Sequence, residues 1–207
     1  MTVLAIKKAK NHLFSVTLSD GKTEFLDKDT VAEEGLHEGD EISNERLKEL
    51  LSSSQKRRAV ARSLWYLEQG DMSKRALVKK LTAAKFDKGA MEYAVIRMQE
   101  VGLINDQRYA ERLAEKLLSA CVSRREALVK MQNKGLDRQT AQLALDLFEC
   151  DETAQIKALI IKKYKNRLTD EESVRKVFAA LQRKGFGYSN IKAVLRQYSE
   201  ELQNSED

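Results

Sequence analysis

A chain of 207 residues with 42% apolar and 33% charged side chains has material for a substantial core under a highly charged surface, and it contains no proline. No apolar run approaches membrane-spanning length, and the stretch from Met1 to Ile6 is too short for the core of a secretory signal, so a cytoplasmic protein is expected. The two cysteines, Cys121 and Cys150, have no Cys or His neighbour at metal-ligand spacing; they read as reduced thiols, and no metal or cofactor is expected.

The net charge of +5 is unevenly spread. Residues 1–55 hold seven basic against eleven acidic side chains, and residues 56–97 hold eleven basic against four acidic ones. The rest of the chain is close to balance. A cationic block of this kind suits a polyanion or an acidic protein surface, because clustered Lys and Arg release counterions from nucleic acid. A solvated charged face accounts for the composition equally well.

In chain order, Phe14, Val16 and Leu18 alternate with Ser15 and Thr17. The turn sequence Ser19-Asp20-Gly21-Lys22 follows, then Thr23 to Leu26, which predicts a β-hairpin. Asp29 or Thr30 is placed to cap a short helix through Glu34 that Gly35 would end, and Asn44 to cap another over about 45–51. Ser52 to Gln55 interrupts the pattern, and helical periodicity governs everything after Lys56. A small β-rich module over 1–54 is expected.

Beyond it the sequence repeats. Residues 73–98, 123–148 and 173–198 superpose without a gap at an offset of 50, so that Leu81, Met131 and Leu181 coincide, as do Phe86, Leu136 and Phe186. The last helix of each unit carries an apolar stripe at i, i+3, i+4 and i+7. The stripes are Met91, Ala94, Val95 and Met98; Ala141, Ala144, Leu145 and Phe148; and Ile191, Val194, Leu195 and Tyr198. Between the two helices of a unit stand Ala84-Lys85-Phe86, Lys134-Gly135-Leu136 or Lys184-Gly185-Phe186, where Gly135 and Gly185 suit the left-handed residue that closes a helix. Ser73 fits a simple cap and Ser123 with Glu126 a capping box, whereas Thr169 and Glu172 suggest a third-unit helix that starts before Ser173. Asp87 and Asp137 stand where the last helices need caps. A preceding helix completes each unit, over about 59–67, 107–118 and 153–167, and there the offset fails. The expected fold is therefore mainly α: three tandem three-helix repeats over 55–103, 104–150 and 151–207, after the N-terminal module.

No constellation for catalysis is apparent. His12 and His37 lie in the small module without a Cys partner, and the Glu171-Glu172 pair suits a helix first turn. An enzyme is not expected. The basic residues are the candidates for a binding surface: Lys74, Arg75, Lys79, Lys80, Lys85 and Lys88 in the first unit, and Arg124, Arg125, Lys130, Lys134 and Arg138 in the second. Lys74 and Arg124, Arg75 and Arg125, Lys80 and Lys130, and Lys88 and Arg138 are each fifty apart, so stacked units would align them into a stripe. Trp65, Tyr66 and Tyr109 fall on first helices, where packing inside is the expected role and base stacking has little support.

Ala61 to Leu67, Ser73, Leu77, Leu81 and the Ala84-Lys85-Phe86 corner resemble the RecX regulatory proteins. So, most of all, does Gly102-Leu103-Ile104-Asn105-Asp106 followed by Tyr109-Ala110. The resemblance spans roughly 58–198, and Leu103, Asn105 and Leu136 depart from the commonest family residues. In the link motif Gly102 is suited to end one helix, Asp106 to cap the next, and Tyr109 to wedge against the corner. The N-terminal module looks like an extension carried by part of the family. What the resemblance implies is an elongated, curved helical body, a non-enzymatic monomer that binds the RecA–single-stranded DNA filament. Such proteins mostly inhibit its recombinase, ATPase and co-protease activities and bind DNA weakly themselves. A general DNA-binding protein with helix-turn-helix-like units is the alternative.

Overall fold

In the computed structural model, which describes residues 1–10, 12–164, 168 and 170–203, the chain divides into two compact units, Met1–Asn105 and Asp106–Asp207. The first unit opens with an antiparallel sheet in the order β1 (Val3–Lys8), β2 (Leu13–Leu18), β3 (Thr23–Asp27). Thr17 pairs with Thr23, and Gly21 at φ 85° makes the turn between them. The hairpin is the expected one. Strand β1 is additional: its run Val-Leu-Ala-Ile has no polar alternation to announce a half-buried strand.

Helix α1 (Lys28–Glu33) is capped by Asp27, not by Asp29 or Thr30. Asp27 is the last extended residue of β3 (φ −73°, ψ 158°), and its Oδ1 accepts from the amides of Asp29 and Thr30 at 3.1 Å each. A cap must precede the first helical turn, which excludes both expected residues. Similarly Ser43, not Asn44, caps α2, its Oγ accepting from Arg46 N at 3.0 Å.

Helix α2 (Asn44–Glu68) runs unbroken for 25 residues through the expected interruption at 52–55. Its buried residues explain the misreading. Leu50 and Ser54 face the sheet module, where the Asp27 amide donates to Ser54 Oγ at 2.8 Å, whereas Ala59 and Ser63 are buried farther along the helix, Ala59 within the first-repeat core. At about 100° per residue these two pairs lie roughly half a turn apart, so the apolar stripe changes sides within one helix. A periodicity reading sees a break where only the partner changes.

The first repeat is completed by α3 (Lys74–Ala83), capped by Ser73, and α4 (Lys88–Glu100), capped by Asp87. Its core is Ala59, Leu77, Leu81, Ala90, Ala94, Val95, Met98 and Ile104. The sheet module has a separate core of Val3, Val16, Leu18, Leu26, Leu36, Ile42 and Leu50.

The second unit contains two three-helix sets. The first is α5 (Asp106–Ser119), α6 (Arg124–Asn133) and α7 (Arg138–Asp146), around Ala110, Ala114, Ala127, Met131, Leu136, Ala144 and Leu145. The second is α8 (Glu152–Leu159, continued by a π-helical turn, Ile160–Tyr164), α9 (Glu171–Arg183) and α10 (Tyr188–Gln203), around Ile156, Ile160, Val177, Leu181, Phe186 and Ile191.

 Helix α8 proper is Glu152–Leu159, and the π-helical turn carries its direction on. The expected extension to Arg167 reaches residues outside the described ones, as does Thr169. Asp170 caps α9 instead, accepting from Ser173 N at 2.9 Å, and the helix does start before Ser173.

The fifty-residue register is visible in the cores and corners. Leu81, Met131 and Leu181 are all fully buried, and Lys85, Gly135 and Gly185 all take the left-handed conformation (φ 62°, 90° and 86°). Two capping expectations change. Only half of the box at Ser123 forms: its Oγ accepts from Glu126 N at 3.2 Å, but the Glu126 carboxylate turns to Lys130 at 2.8 Å. Asp106 opens the first turn of α5 and so cannot stand ahead of it; Asn105 holds the preceding position. Gly102, at φ 70°, closes α4, and Tyr109 packs half-buried against the second-repeat core.

Candidate partner interface

The cationic candidates sit on helices whose opposite faces are fixed by burial. On α3, Leu77 and Leu81 point into the core, which turns Arg75 and Lys79, one turn apart, outward. On α6, Ala127 and Met131 do the same for Arg125.

Several candidates are already engaged. Arg124 reaches the end of α7: its Nη1 donates to Leu145 O at 2.9 Å and Asp146 Oδ1 at 3.2 Å, and its Nη2 donates to Phe148 O. That makes it a cap for the α7 carboxyl end, where a cation also complements the helix dipole. Lys130 pairs with Glu126, and Lys88 lies 3.8 Å from Glu92, both at i, i+4 spacing. The stem of Arg125 lies under Gly185, where an added Cβ would meet Arg125 Cβ at 3.0 Å and Ser123 Oγ at 2.9 Å. Ser123 Oγ also donates to the carbonyl of Lys184, so the corner of the third repeat seats on the start of α6. Arg75, Lys79 and Arg138 are exposed, and no ion pair among the described residues holds them. Lys74, Lys85 and Lys134 are exposed as well.

The structure assembles a group that sequence periodicity overlooked. Arg58, Arg62 and Trp65 share one side of α2 at i, i+4 and i+7. The Arg62 guanidinium lies 5.3 Å from the Trp65 ring centre and 6.0 Å from that of Tyr66, and Lys80 of α3 lies 4.7 Å from Tyr66. Arg58 approaches Phe86 at 5.9 Å and Lys56 approaches Tyr93 at 5.7 Å. The expected burial of Trp65 is not observed: the indole residue is 49% exposed, because the buried side of α2 at that level is the one carrying Ala59 and Ser63. Tyr66, by contrast, packs half-buried on the first-repeat core. Lys80 is among the basic candidates and Trp65 and Tyr66 among the first-helix aromatics, but for Arg58 and Arg62 the one sequence signal is the charge count over 56–97.

The family profile described as "RecX, third three-helix domain" matches residues 151–195. Beyond that segment, a protein named Regulatory protein RecX from Caldanaerobacter subterraneus subsp. tengcongensis is 24% identical over 192 residues, covering 92% of this chain and 95% of its own length. A Clostridioides difficile protein of the same name is 28% identical, covering 78% of each chain. Over nearly its whole length the chain resembles the RecX regulatory proteins.

Two solved RecX structures share its fold. One, titled a crystal structure of regulatory protein RecX, has a TM-score of 0.65 at 21% identity, covering 93% of this chain and 98% of that one. The other, RecX from Lactobacillus salivarius, scores 0.62 at 20% identity over 70% of this chain and 97% of that one. The RecX profile match coincides with α8, the π-helical turn, α9 and the first half of α10. That is the set held together by the Ile156–Leu181–Ile191 core.

Titratable groups in this chain serve the scaffold. Hydrogen bonds from the Thr140 hydroxyl and amide hold the Asp137 carboxyl below the ordinary aspartate range, so the α7 cap stays charged at neutral pH and is lost only as pH falls through that lowered value. The Thr153 hydroxyl does the same for Asp151. Burial pushes the Cys150 thiol up, which lowers its thiolate fraction and its reactivity. Among the described residues no three His, Cys, Asp or Glu side chains gather as a metal-binding group, and no helix is long and apolar enough to cross a membrane.

Proposed function

We propose that this protein binds the RecA–single-stranded DNA filament and restrains its recombinase, ATPase and co-protease activities, acting in the cytoplasm as a non-enzymatic monomer. The observation that carries the reading is a full-length match: a protein named as a RecX regulator aligns over more than nine-tenths of both chains. The cationic first repeat adds a physical reason, since a filament coated on nucleic acid offers phosphates and acidic protein surface together. The division into a module over 1–54 and repeats over 55–103, 104–150 and 151–207 belongs to the same proposal. It is supported by four separate apolar cores, with α2 shared between the first two.

DNA-dependent ATP hydrolysis by RecA, measured with sub-stoichiometric amounts of this protein, tests the reading. Suppression is expected well below one protein per RecA subunit. No effect at any ratio overturns it, and tight, steeply salt-dependent binding to DNA without RecA would favour a general DNA-binding protein instead.

A further inference from the structure

We infer that Trp65, beside Arg62 and next to the Tyr66 ring that Lys80 covers, is a stacking site for an unpaired base of single-stranded nucleic acid. The inference rests on the filament reading above and locates within it the part of the chain that meets bare strand.

Energetically significant cation–π contacts occur roughly once per 70–80 residues in protein structures. Here five geometric contacts of that kind fall between Lys56 and Tyr93, and every aromatic side chain of the first repeat takes part. Trp65 differs from Tyr66 and Phe86 in its surroundings, for those two pack against the core while the indole stands 49% exposed beside Arg62. Its ring centre lies 5.2 Å from that of Tyr66 at an interplanar angle of 60°, so Tyr66, braced by Lys80 and the core, supports one side of the indole. An exposed indole buttressed in this way has already lost much of its rotamer freedom, and ordering it on a ligand costs correspondingly little.

Charge and shape together select the ligand. The 56–97 segment carries eleven basic against four acidic side chains, which calls for a polyanion. An acidic peptide would neutralise Arg62 and Lys80 but offers the indole no extended π face. A duplex carries phosphates and keeps its base faces stacked on one another. A single strand alone presents phosphates and open base faces side by side, the combination that aromatic-plus-basic surfaces recognise.

Because Trp65 is the only tryptophan in the chain, its emission reports on this position alone. Titrating the full-length protein with a short oligothymidylate should quench that emission saturably, while heparin or polyglutamate at equal charge should leave it nearly unchanged. By anisotropy of a labelled oligothymidylate, Trp65→Ala should bind about tenfold more weakly, the size of one stacked base, and Trp65→Phe should recover most of the loss. Circular dichroism checks that both variants fold. Equal affinity of Trp65→Ala and the unaltered protein overturns the inference, and so does quenching by polyglutamate as strong as by the oligonucleotide, which would make the partner an acidic protein. The RecA ATPase assay separates the two readings. If the unaltered protein suppresses hydrolysis and Trp65→Ala binds strand normally, the stacking site falls and the filament reading stands; if the tenfold loss appears but no suppression does, the reverse holds.

Discussion

Lys85, Gly135 and Gly185 occupy one backbone position in three contexts and show what that position costs. All three are left-handed, but only the first carries a Cβ, which crowds the following carbonyl by roughly 1–2 kcal/mol. Replacing Lys85 by glycine removes that strain and returns part of the gain as unfolded-chain entropy, so a net stabilisation of about 0.5 kcal/mol is expected from urea unfolding. The opposite change at Gly185 adds strain and a collision, for its Cβ would stand 2.9 Å from Ser123 Oγ and 3.0 Å from Arg125 Cβ. Gly185→Ala should therefore cost roughly 2–4 kcal/mol. Gly102→Ala is the control: the residue has the same handedness (φ 70°) and nothing within 4 Å of the added carbon, and should cost only about 1 kcal/mol. Equal losses at 102 and 185 would mean that the seat of the third-repeat corner on α6 contributes nothing.

At the scale of the helix, the third repeat solves a capping problem differently from the first two. Asp87 and Asp137 cap α4 and α7, but the equivalent position before α10 is Gly187, which has no side chain to offer. Glu152 of α8 supplies it: Oε1 accepts from Gly187 N at 3.0 Å and Oε2 from the Asn190 side-chain amide. Glu152→Ala should lower stability by about 1–2 kcal/mol, the usual worth of a cap. Adding Gly187→Asp should restore most of it in that background and none in the unaltered protein, where the new Cβ would lie 3.1 Å from Glu152 Oε2. Additive effects of the two substitutions in urea titrations would rule out a shared role. What could be read from sequence and what could not divides along the same line. Caps such as Ser73, Asp87 and Asp137, and the buried positions 81, 131 and 181, are set by neighbours a few residues away, and local pattern suffices for them. The Glu152 cap spans 35 residues, and α2 changes its packing partner midway along its length; neither leaves a mark in local periodicity.

For the whole molecule, the question is which positive charges hold the fold and which are available to a partner. The sequence ranked all eleven basic candidates alike because an offset of fifty aligns residue types without showing what each side chain touches; Arg124 caps α7, and Arg62, the cation beside Trp65, belongs to a helix outside the repeat register. Two variants separate these roles. Arg124→Ala removes charge-assisted hydrogen bonds to Leu145 O and Phe148 O and should destabilise by about 1–2 kcal/mol, the low end for bonds to a charged group that is partly solvated. The triple change Arg75→Glu, Lys79→Glu, Arg138→Glu touches side chains held by no ion pair among the described residues and should leave the urea midpoint nearly unmoved. On the RecA–single-stranded DNA filament the order should invert: the triple variant should bind at least about tenfold more weakly, and each lost phosphate contact should lower the salt slope by about 1, while Arg124→Ala, once folded, should bind almost normally. If the triple variant suppressed RecA-dependent ATP hydrolysis as well as the unaltered protein, the outward faces of α3 and α7 would have no part in binding. The interaction would then have to be carried by the α2 surface around Arg62 and Trp65.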